Sequence, residues 1–450
     1  MALSQQELDA LHLLEQNLIF NSPADIRNDR YYEGTQRLEH IGLAVPPELR
    51  RFETVANWCR TVVDTVANRQ RLKTFYLPGE DEFSKDLQDG WEYNNLDSES
   101  KIMQKEKLIL GRGFVSVGSN EDDPENPIIQ VESPREMSVD IDPRRRRIRA
   151  AARFTNDQVQ AGPALFRHSH ATLMLPDATV WCQRGQGGWF EVDRDEHGLG
   201  RVPIVMFLNR RRLGRWTGVS EMADAVPFVD SAARALTNLQ LATETHAVPP
   251  RYVLGISKGD FVDKSGQPIP AWEAYFNSFM ATAKGDAKIG QLTGTSLDNF
   301  HKSVDHYAQQ VAGLTGLPVR YFGQNTANPP SGEGLEADEV RLIQNVESKN
   351  TEDADGWGWV MGMWWRFKTG DWIEGSRIKA EYFDAMNSTK AQAADSATKL
   401  YANGQGPISR ESVWDELGWS EGRKKRERER LAAERREAIG YLENQITGIE

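Results

Sequence analysis

The sequence lacks the features that mark a membrane or secreted protein. Its 450 residues include two cysteines, Cys59 and Cys182, which are far apart and form no Cys-x-x-Cys pair. Such sparse cysteine is typical of a reducing, cytoplasmic setting. No run approaches the ~18 apolar residues that a membrane span requires, and the first residues lack the basic segment that opens a secretory signal. We therefore expect no membrane segment and no signal peptide.

Signatures of common catalytic machinery are also missing. No G-x-x-x-x-G-K-[ST] loop occurs, the glycines of 111–118 lack the G-x-G-x-x-G spacing, and 218–224 is not a G-x-S-x-G nucleophile elbow. His168 and His170 would share one face of a strand, and with Cys182 or a carboxylate they could bind zinc. No second ligand pair has a useful spacing, however. We therefore expect no catalytic residue, metal or cofactor, and a metal-dependent enzyme is the less favoured alternative.

Positive charge is in deficit. The chain has 54 Lys and Arg against 66 Asp and Glu, a formal net charge of −12. Tight binding of nucleic acid by counterion release requires a positive surface, so the balance disfavours a nucleic-acid regulator. The arginine-rich segment 143–149 could contact phosphate, but an exposed hairpin is the favoured interpretation. Opposite charges along the last helical stretch pair internally, which favours a solvated helix over a binding surface.

Periodicity divides the first half of the chain into a helical and a β-rich part. Apolar residues recur at helical spacing within 4–20 and again between Phe52 and Val66, and a third helical region is predicted near 83–110. Residues 111–206 contain short alternating stretches separated by glycine and proline turns. The short connections predict a mostly antiparallel β module.

The second half of the chain returns to helical spacing. Two helices, at about 219–246 and 297–316, flank an insert of roughly fifty residues. A long helix is predicted from Leu335 to about Lys368, followed by a strand within 376–385 and helical structure over 388–442. Three glycines near position 360 should weaken or bend the long helix.

Two stretches around the long helix differ from their surroundings. The tryptophan-rich run 357–365 could stack on a ligand, but its helical spacing favours packing in a core or against another subunit. The segment "GQNTANPPSGEG", residues 323–334, has one alanine and no other aliphatic or aromatic residue. Its position between two helices raises the question of what such a polar loop contacts.

The order of these segments resembles the portal proteins of tailed bacteriophages. The strand-turn-strand "SPREMSVDIDPRRRRIRAAARF" resembles the wing hairpin of that family. "RVPIVMFLNRRRLGRWTGVSEMADAVPFVDSAARALTNL" resembles the strand, basic loop and G-x-S-E that lead into the first stem helix. "LTGLPVRYFGQNTANPPSGEGLEADEVRLI" resembles the turn into the tunnel loop and the helix behind it.

The resemblance implies an α+β, multi-domain portal-type fold. It has an antiparallel-β/α wing, a two-helix stem, a small α/β clip insert and a helical C-terminal crown. The implied ranges are the wing at 1–218, with its β-rich part at 111–206, the first stem helix at 219–246, the clip at 247–296, the second stem helix at 297–318, the tunnel loop at 319–333, the long wing helix and return strand at 334–387, and the crown at 388–450.

The resemblance also implies candidate contact residues. The tunnel loop would face DNA with neutral hydrogen-bonding side chains, whereas its prolines stiffen it. These side chains are Gln324, Asn325, Thr326, Asn328 and Ser331. The clip would bind successive partners through mixed charges around one aromatic residue. Its set is Lys258, Asp260, Asp263, Lys264 and Trp272.

A portal function would make the chain a structural protein rather than an enzyme. The resemblance implies a homo-oligomeric, twelvefold ring at one capsid vertex, through which double-stranded DNA passes without sequence-specific binding. Its partners would be the terminase large subunit, a head-tail adaptor, and the major capsid and scaffold proteins. The ring would lie in the virion, and in the host cytoplasm during assembly. A coat or scaffold protein is the first alternative, which the helix–insert–helix arrangement disfavours.

Overall fold

The structure is a computed structural model that describes most of the chain. It describes residues 3–37, 54–79, 84–156, 168–247, 251–255, 288–291, 297–324, 332–373, 377–386, 390–417, 419, 423–434 and 436. The chain divides into two compact units, Met1–Ala385 and Met386–Glu450. The mixed helix-and-sheet class that we predicted is confirmed.

The first layer of the larger unit is a long amino-terminal helix, α1 (Gln5–Glu33), which begins with a capping box formed by Ser4 and Glu7. We expected this helix to end near residue 20, before the turn-like residues that follow. It continues instead through Pro23, because tertiary contacts support its second half. Asp25 forms a buried, two-bond ion pair with Arg112, with N–O distances of 3.1 and 2.7 Å.

Helices α2 (Trp58–Ala67), α3 (Lys85–Tyr93) and α4 (Leu96–Leu110) follow α1. The helical region predicted near 83–110 is thus two helices, since Asn95 between them adopts a left-handed backbone with φ of 52°. Strand β1 (Leu72–Tyr76), which periodicity did not indicate, pairs with the return strand β12 (Lys379–Tyr382).

The β module is antiparallel, as predicted, and its strands form two sheets. Its strands are β2 (Arg112–Gly118), β3 (Ile128–Glu132), β4 (Met137–Asp142), β5 (Arg147–Thr155), β6 (His170–Met174), β7 (Thr179–Gly185), β8 (Gly188–Asp195) and β9 (Ile204–Leu208). The order in one sheet is β3-β2-β9, and in the other β4-β5-β6-β7-β8.

The five-stranded sheet is covered on both faces in different ways. Leu11, Leu14 and Leu18 of α1 pack on one face, in a core that includes Phe154 and Trp189. The other face is partly covered by the three-stranded sheet, in a core that joins side chains of both sheets. The core between the two sheets includes residues of β4, β5 and β6 but none of β7 or β8.

Two helices pack against each other beside this body, α5 (Val226–Ala247) and α6 (Asp298–Thr315). Strands β10 (Arg251–Leu254) and β11 (Lys288–Gln291) form an antiparallel ribbon that follows α5 and precedes α6. The segment that links the two strands lies largely outside the described residues.

The long helix α7 (Gly332–Thr369) runs without a break through the glycines that were expected to bend it. At Gly356 the reason for glycine is close packing, because a Cβ atom there would lie 2.4 Å from the ring of Phe207. Trp357 and Trp364 are fully buried in the central core, so the core-packing interpretation of the tryptophan run is confirmed.

The smaller unit is helical, but it is not one continuous helical stretch. It contains α8 (Lys390–Tyr401), α9 (Arg410–Glu416) and a further helix at 423–434. Arg428 pairs with Glu411 of α9, and Arg430 pairs with Glu427. Among the described residues, the expected internal pairing of this stretch is therefore seen between Arg430 and Glu427, whereas Arg428 pairs with α9 instead. None of the described helices is long and apolar enough to span a membrane.

Candidate functional site

The polar loop between α6 and α7 is described at both of its ends. After α6, Gly316 adopts a left-handed backbone, and a 3₁₀ turn covers Val319–Phe322. Gly323 is left-handed again, with φ of 86°, and directs the chain away from the turn. We call these residues, with the first turns of α7, the loop root.

A single carboxylate holds the two ends of the loop root together. Glu339 of α7 accepts hydrogen bonds from the Tyr321 hydroxyl at 2.6 Å and from Arg320 at 2.5 Å. Arg69 donates to the other oxygen of Glu339 at 2.7 Å. Arg320 also pairs with Asp338. The turn before the loop is thereby bonded to the helix after it.

The electrostatics of this cluster keep Glu339 ionised. Burial by itself would raise the pKa of Glu339, but the bonds from Tyr321 and Arg69 outweigh it and lower that pKa. Burial and the neighbouring carboxylate raise the pKa of Tyr321 in turn, so its hydroxyl remains a donor. A charged acceptor between cationic and phenolic donors makes stronger hydrogen bonds than a neutral one would.

One of the five predicted loop residues lies within the described part of the chain. The Gln324 side chain turns back to α6, where its Nε2 donates to the Asp305 carbonyl at 2.7 Å. Gln309 Nε2 donates to the Gln324 side-chain oxygen at 3.5 Å. The other four, Asn325, Thr326, Asn328 and Ser331, lie outside the described residues, as do the clip candidates Lys258, Asp260, Asp263, Lys264 and Trp272.

A buried charged cluster that sequence reasoning missed fixes the segment before α5. Glu221 accepts from Lys349 of α7 at 3.0 Å and from Asn209 at 2.9 Å. Asn345 donates to its second oxygen at 3.1 Å. Burial would raise the pKa of Glu221, but Lys349 and the hydrogen bond from Asn209, followed by Arg210, lower it to about 2.

A second buried pair lies one turn further along the same helix. Lys107 donates to Asp353 at 2.5 Å, and Gln70 donates to the same oxygen at 2.9 Å. The sequence did contain a signal for both clusters. Lys349 and Asp353 lie i,i+4 on the stripe that carries buried Val346 and Trp357. A charge at an apolar position of a helical stripe indicates a buried partner.

The histidines considered for zinc have other surroundings. His168 Nδ1 lies 3.2 Å from Glu15, which also accepts from Arg184 at 2.6 Å, and the His168 ring packs on Phe154. Within the described ranges, no group of three or more His, Cys, Asp and Glu side chains is placed to hold a metal ion.

Comparison with known proteins defines the class. The sequence model of the family "Phage portal protein, SPP1 Gp6-like" matches residues 23–441. The portal protein of Mycobacterium phage D29 is 35% identical over 408 residues, which cover 87% of this chain and 82% of the relative. That of Mycobacterium phage L5 is 35% identical over 428 residues, covering 92% and 85%.

This chain is thus of the phage portal class, whose members are structural head-to-tail connector proteins. Within that class, it belongs to the SPP1 Gp6-like family of phage portal proteins. The resemblance inferred from the order of its segments is confirmed.

Solved structures of low sequence identity also match. One, titled "Neck of empty GTA particle computed with C6 symmetry", gives a TM-score of 0.47 at 14% identity, covering 85% of this chain and 95% of the other. "Neck of native GTA particle computed with C12 symmetry" gives 0.45 at 13% identity, covering 85% and 97%.

Proposed function

We propose that copies of this chain close into a ring at one vertex of the phage capsid. Double-stranded DNA passes through this ring during packaging and ejection. Family membership supports the portal assignment, and one structural observation carries the ring itself. The sandwich of α1 and the five-stranded sheet has two exposed apolar faces that point in opposite directions.

The first apolar face is the side of α1 turned away from the sheet. The helix buries Leu11, Leu14 and Leu18, whereas Phe20 on its other side is 84% exposed. At 100° per residue, exposed Leu13 and Phe20 lie roughly opposite the buried leucines, whereas exposed Ile19 and Ile26 lie about 90–110° from them on one flank.

The second apolar face lies on the far side of the sheet, on β7 and β8. Trp181, Phe190 and Val192 are exposed there, whereas Cys182 and Trp189 point into the core beneath α1. Exposed apolar patches mark interaction sites. Because the two faces are different and opposed, the contact they favour between copies is heterologous, which closes a ring when the rotation allows it.

Cross-linking of cysteine variants, with negative-stain microscopy of the same preparation, tests this proposal. The double variant Phe20→Cys, Phe190→Cys, treated with a short bismaleimide, should give a ladder of covalent oligomers. Each single variant should stay monomeric, and their mixture should stop at dimers. Lys101→Cys in place of Phe20→Cys is the control for random contact. Particles without an axial hole would refute the ring, whereas dimers of Phe20→Cys alone would refute only this interface.

We further propose that residues 319–333 form a tunnel loop at the narrowest part of the channel. The loop root supports this role, because the Glu339 cluster and Gln324 fix where both ends of the loop leave the helices. The predicted side chains Asn325, Thr326, Asn328 and Ser331 would then make weak, neutral contacts with phosphates, which allow the duplex to move.

Photo-cross-linking to packaged DNA tests this placement. Asn325→Cys and Asn328→Cys, labelled with an aryl azide, should cross-link to DNA in filled heads. The same label at Asp395→Cys, on the smaller unit, serves as the comparison. Labels at 325 and 328 that react only with external reagents would contradict the tunnel position.

The stem, clip and crown assignments complete the proposal. Helices α5 and α6 are the stem, residues 247–296 the clip and 388–450 the crown, while the wing contacts the major capsid and scaffold proteins. The ribbon of β10 and β11 supports a clip at the end of the stem, where the terminase large subunit and later the adaptor would bind. Replacing 256–287 by a short Gly-Ser turn should leave rings intact and abolish terminase recruitment. Lys258→Gln with Lys264→Gln should weaken recruitment, and unchanged recruitment by both variants would contradict the clip.

A further inference from the structure

Strand β9 is an open edge of the three-stranded sheet. It pairs with β2 and with no other strand of the described chain. The Asn209 N–H donates to the Gly111 carbonyl at 2.8 Å, and the Val117 N–H donates to the Pro203 carbonyl at 3.0 Å. In an antiparallel ladder, residues alternate between facing the partner and facing away. The N–H and C=O groups of Met206 and Leu208 therefore point to the open side.

A groove of about 410 Å³ runs along this open edge. β9 forms one wall, the β4–β5 turn another, and Glu352, Asp355 and Trp359 of α7 contribute a third. Among the described residues, no hydrogen-bond partner reaches the outward backbone groups of Met206 and Leu208. An exposed edge of this kind is a template for a further strand unless the protein covers it.

Four arginines surround the groove: Arg146 and Arg147 on the turn, Arg211 on the loop after β9, and Arg201. None of the four forms an ion pair with any described residue. Arg201 stacks over the Trp359 ring at 3.7 Å from its centroid. Burial, with a smaller contribution from nearby Arg147, lowers the pKa of Arg201 to about 10, as expected for a guanidinium without a counter-ion.

We propose that the β9 groove binds an extended, acidic peptide segment of a partner protein by adding a strand to the open edge. Its backbone pairs with Met206 and Leu208, and its alternate carboxylates meet the four arginines. This site lies on one chain and does not depend on the ring.

The edge itself favours a peptide over nucleic acid as the occupant. A phosphodiester backbone offers acceptors only, and it would face the outward carbonyls of Met206 and Leu208 with no donor to give them. A peptide strand offers alternating N–H and C=O groups that match the edge, which is how strand addition gives affinity. The unpaired guanidinium groups then select for carboxylate side chains.

Fluorescence anisotropy with the full-length chain tests the proposal. The probe is a labelled, capped octapeptide that alternates glutamate and threonine. The matched probes are its glutamine-threonine analogue, the same acidic peptide N-methylated at alternate amides, and a short DNA duplex. Binding of the acidic peptide should exceed that of the other three by about tenfold or more, because charge and backbone pairing both contribute.

Two protein variants locate the site. Arg147→Gln with Arg211→Gln should weaken peptide binding about tenfold. Arg144→Gln with Arg377→Gln removes the same charge from two exposed arginines that do not line the groove, and should change peptide binding less than about threefold. Both variants alter exposed side chains, so folding should persist.

Three outcomes would overturn the proposal. Equal binding of the N-methylated peptide would show attraction by charge alone. Tighter binding of the duplex, lost in the groove variant, would assign the arginines to nucleic acid. Peptide binding by separate copies that disappears on ring assembly would assign the edge to a second copy of this chain.

Discussion

Replacing Glu221 by glutamine should destabilise the larger unit more than any exposed ion-pair change. The Glu221–Lys349 pair has a distance of 3.0 Å, and its two side chains are 6% and 8% exposed. Glu221→Gln keeps the shape and leaves the Lys349 ammonium buried without its closest counter-charge. Breaking such a pair costs about 3–5 kcal/mol, a large part of the ~5–15 kcal/mol by which folded domains are stable.

Urea unfolding followed by tryptophan fluorescence measures this change. Glu33→Gln, which breaks the exposed pair with Arg60 in the same unit, is the control and should cost less than about 1 kcal/mol. The double variant Glu221→Leu, Lys349→Met should be more stable than Glu221→Gln, because no charge stays buried. A Glu221→Gln protein within about 1 kcal/mol of the parent would refute the reasoning.

The same pair predicts a dependence on pH. The pKa of Glu221 falls from its usual 4.5 to about 2 on folding. The unfolded chain therefore takes up the proton first, and the stabilisation is complete above pH 4.5 and lost as the pH falls through 2. The stability difference between parent and Glu221→Gln should shrink over this window. A difference that stays constant down to pH 2 would contradict the assigned pKa.

Three further predictions concern other parts of the larger unit. Gly218→Ala should cost several kcal/mol in urea unfolding, since its Cβ would lie 1.9 Å from a facing carbonyl oxygen, whereas Gly214→Ala, also at positive φ but in open space, should cost about 1 kcal/mol. Burial raises the pKa of Cys59 and Cys182 to about 12, so iodoacetamide near neutral pH should label both only after unfolding, and rapid labelling of the native chain would contradict their burial. Glu339→Gln should speed amide hydrogen exchange in the 3₁₀ turn about tenfold or more, and unchanged exchange would show that the carboxylate does not hold the loop root.

Most structural features that the sequence did not reveal depend on contacts between residues far apart in the chain. The period of α7 was visible because its apolar stripe extends over many turns. Pro23 and its polar neighbours predicted the end of α1, but the buried Asp25–Arg112 pair continues that helix. No local pattern contains the partner of Asp25, since Arg112 is 87 positions away. Gly356 was likewise expected to weaken α7, but the ring of Phe207 packs so close to it that a Cβ atom would not fit.

The loop and clip residues were derived from order and resemblance rather than from chemistry. Neutral polar side chains between two helices are equally compatible with a solvated loop and with a channel loop, so composition cannot distinguish these two interpretations. The loop root was predictable in part, because Gly316, Pro318 and Gly323 are typical residues for stopping a helix and turning. Its Glu339 cluster was not, since Arg69 reaches it from a distant part of the chain.

The contacts of α7 explain how one helix can fix the position of the loop root. Glu339 bonds the loop root, Lys349 bonds the segment before α5, and Asp353 bonds α4 through Lys107. The first contact is half-buried, and the other two are buried charge pairs that resist rearrangement. Because α7 is one continuous helix, the loop root can be displaced in two ways only. Either the Glu339 cluster breaks, or α7 moves and the two buried charge pairs break. The weaker, more exposed Glu339 cluster is therefore the place where the loop root can separate from α7 without disturbing α5, α6 or the sheets.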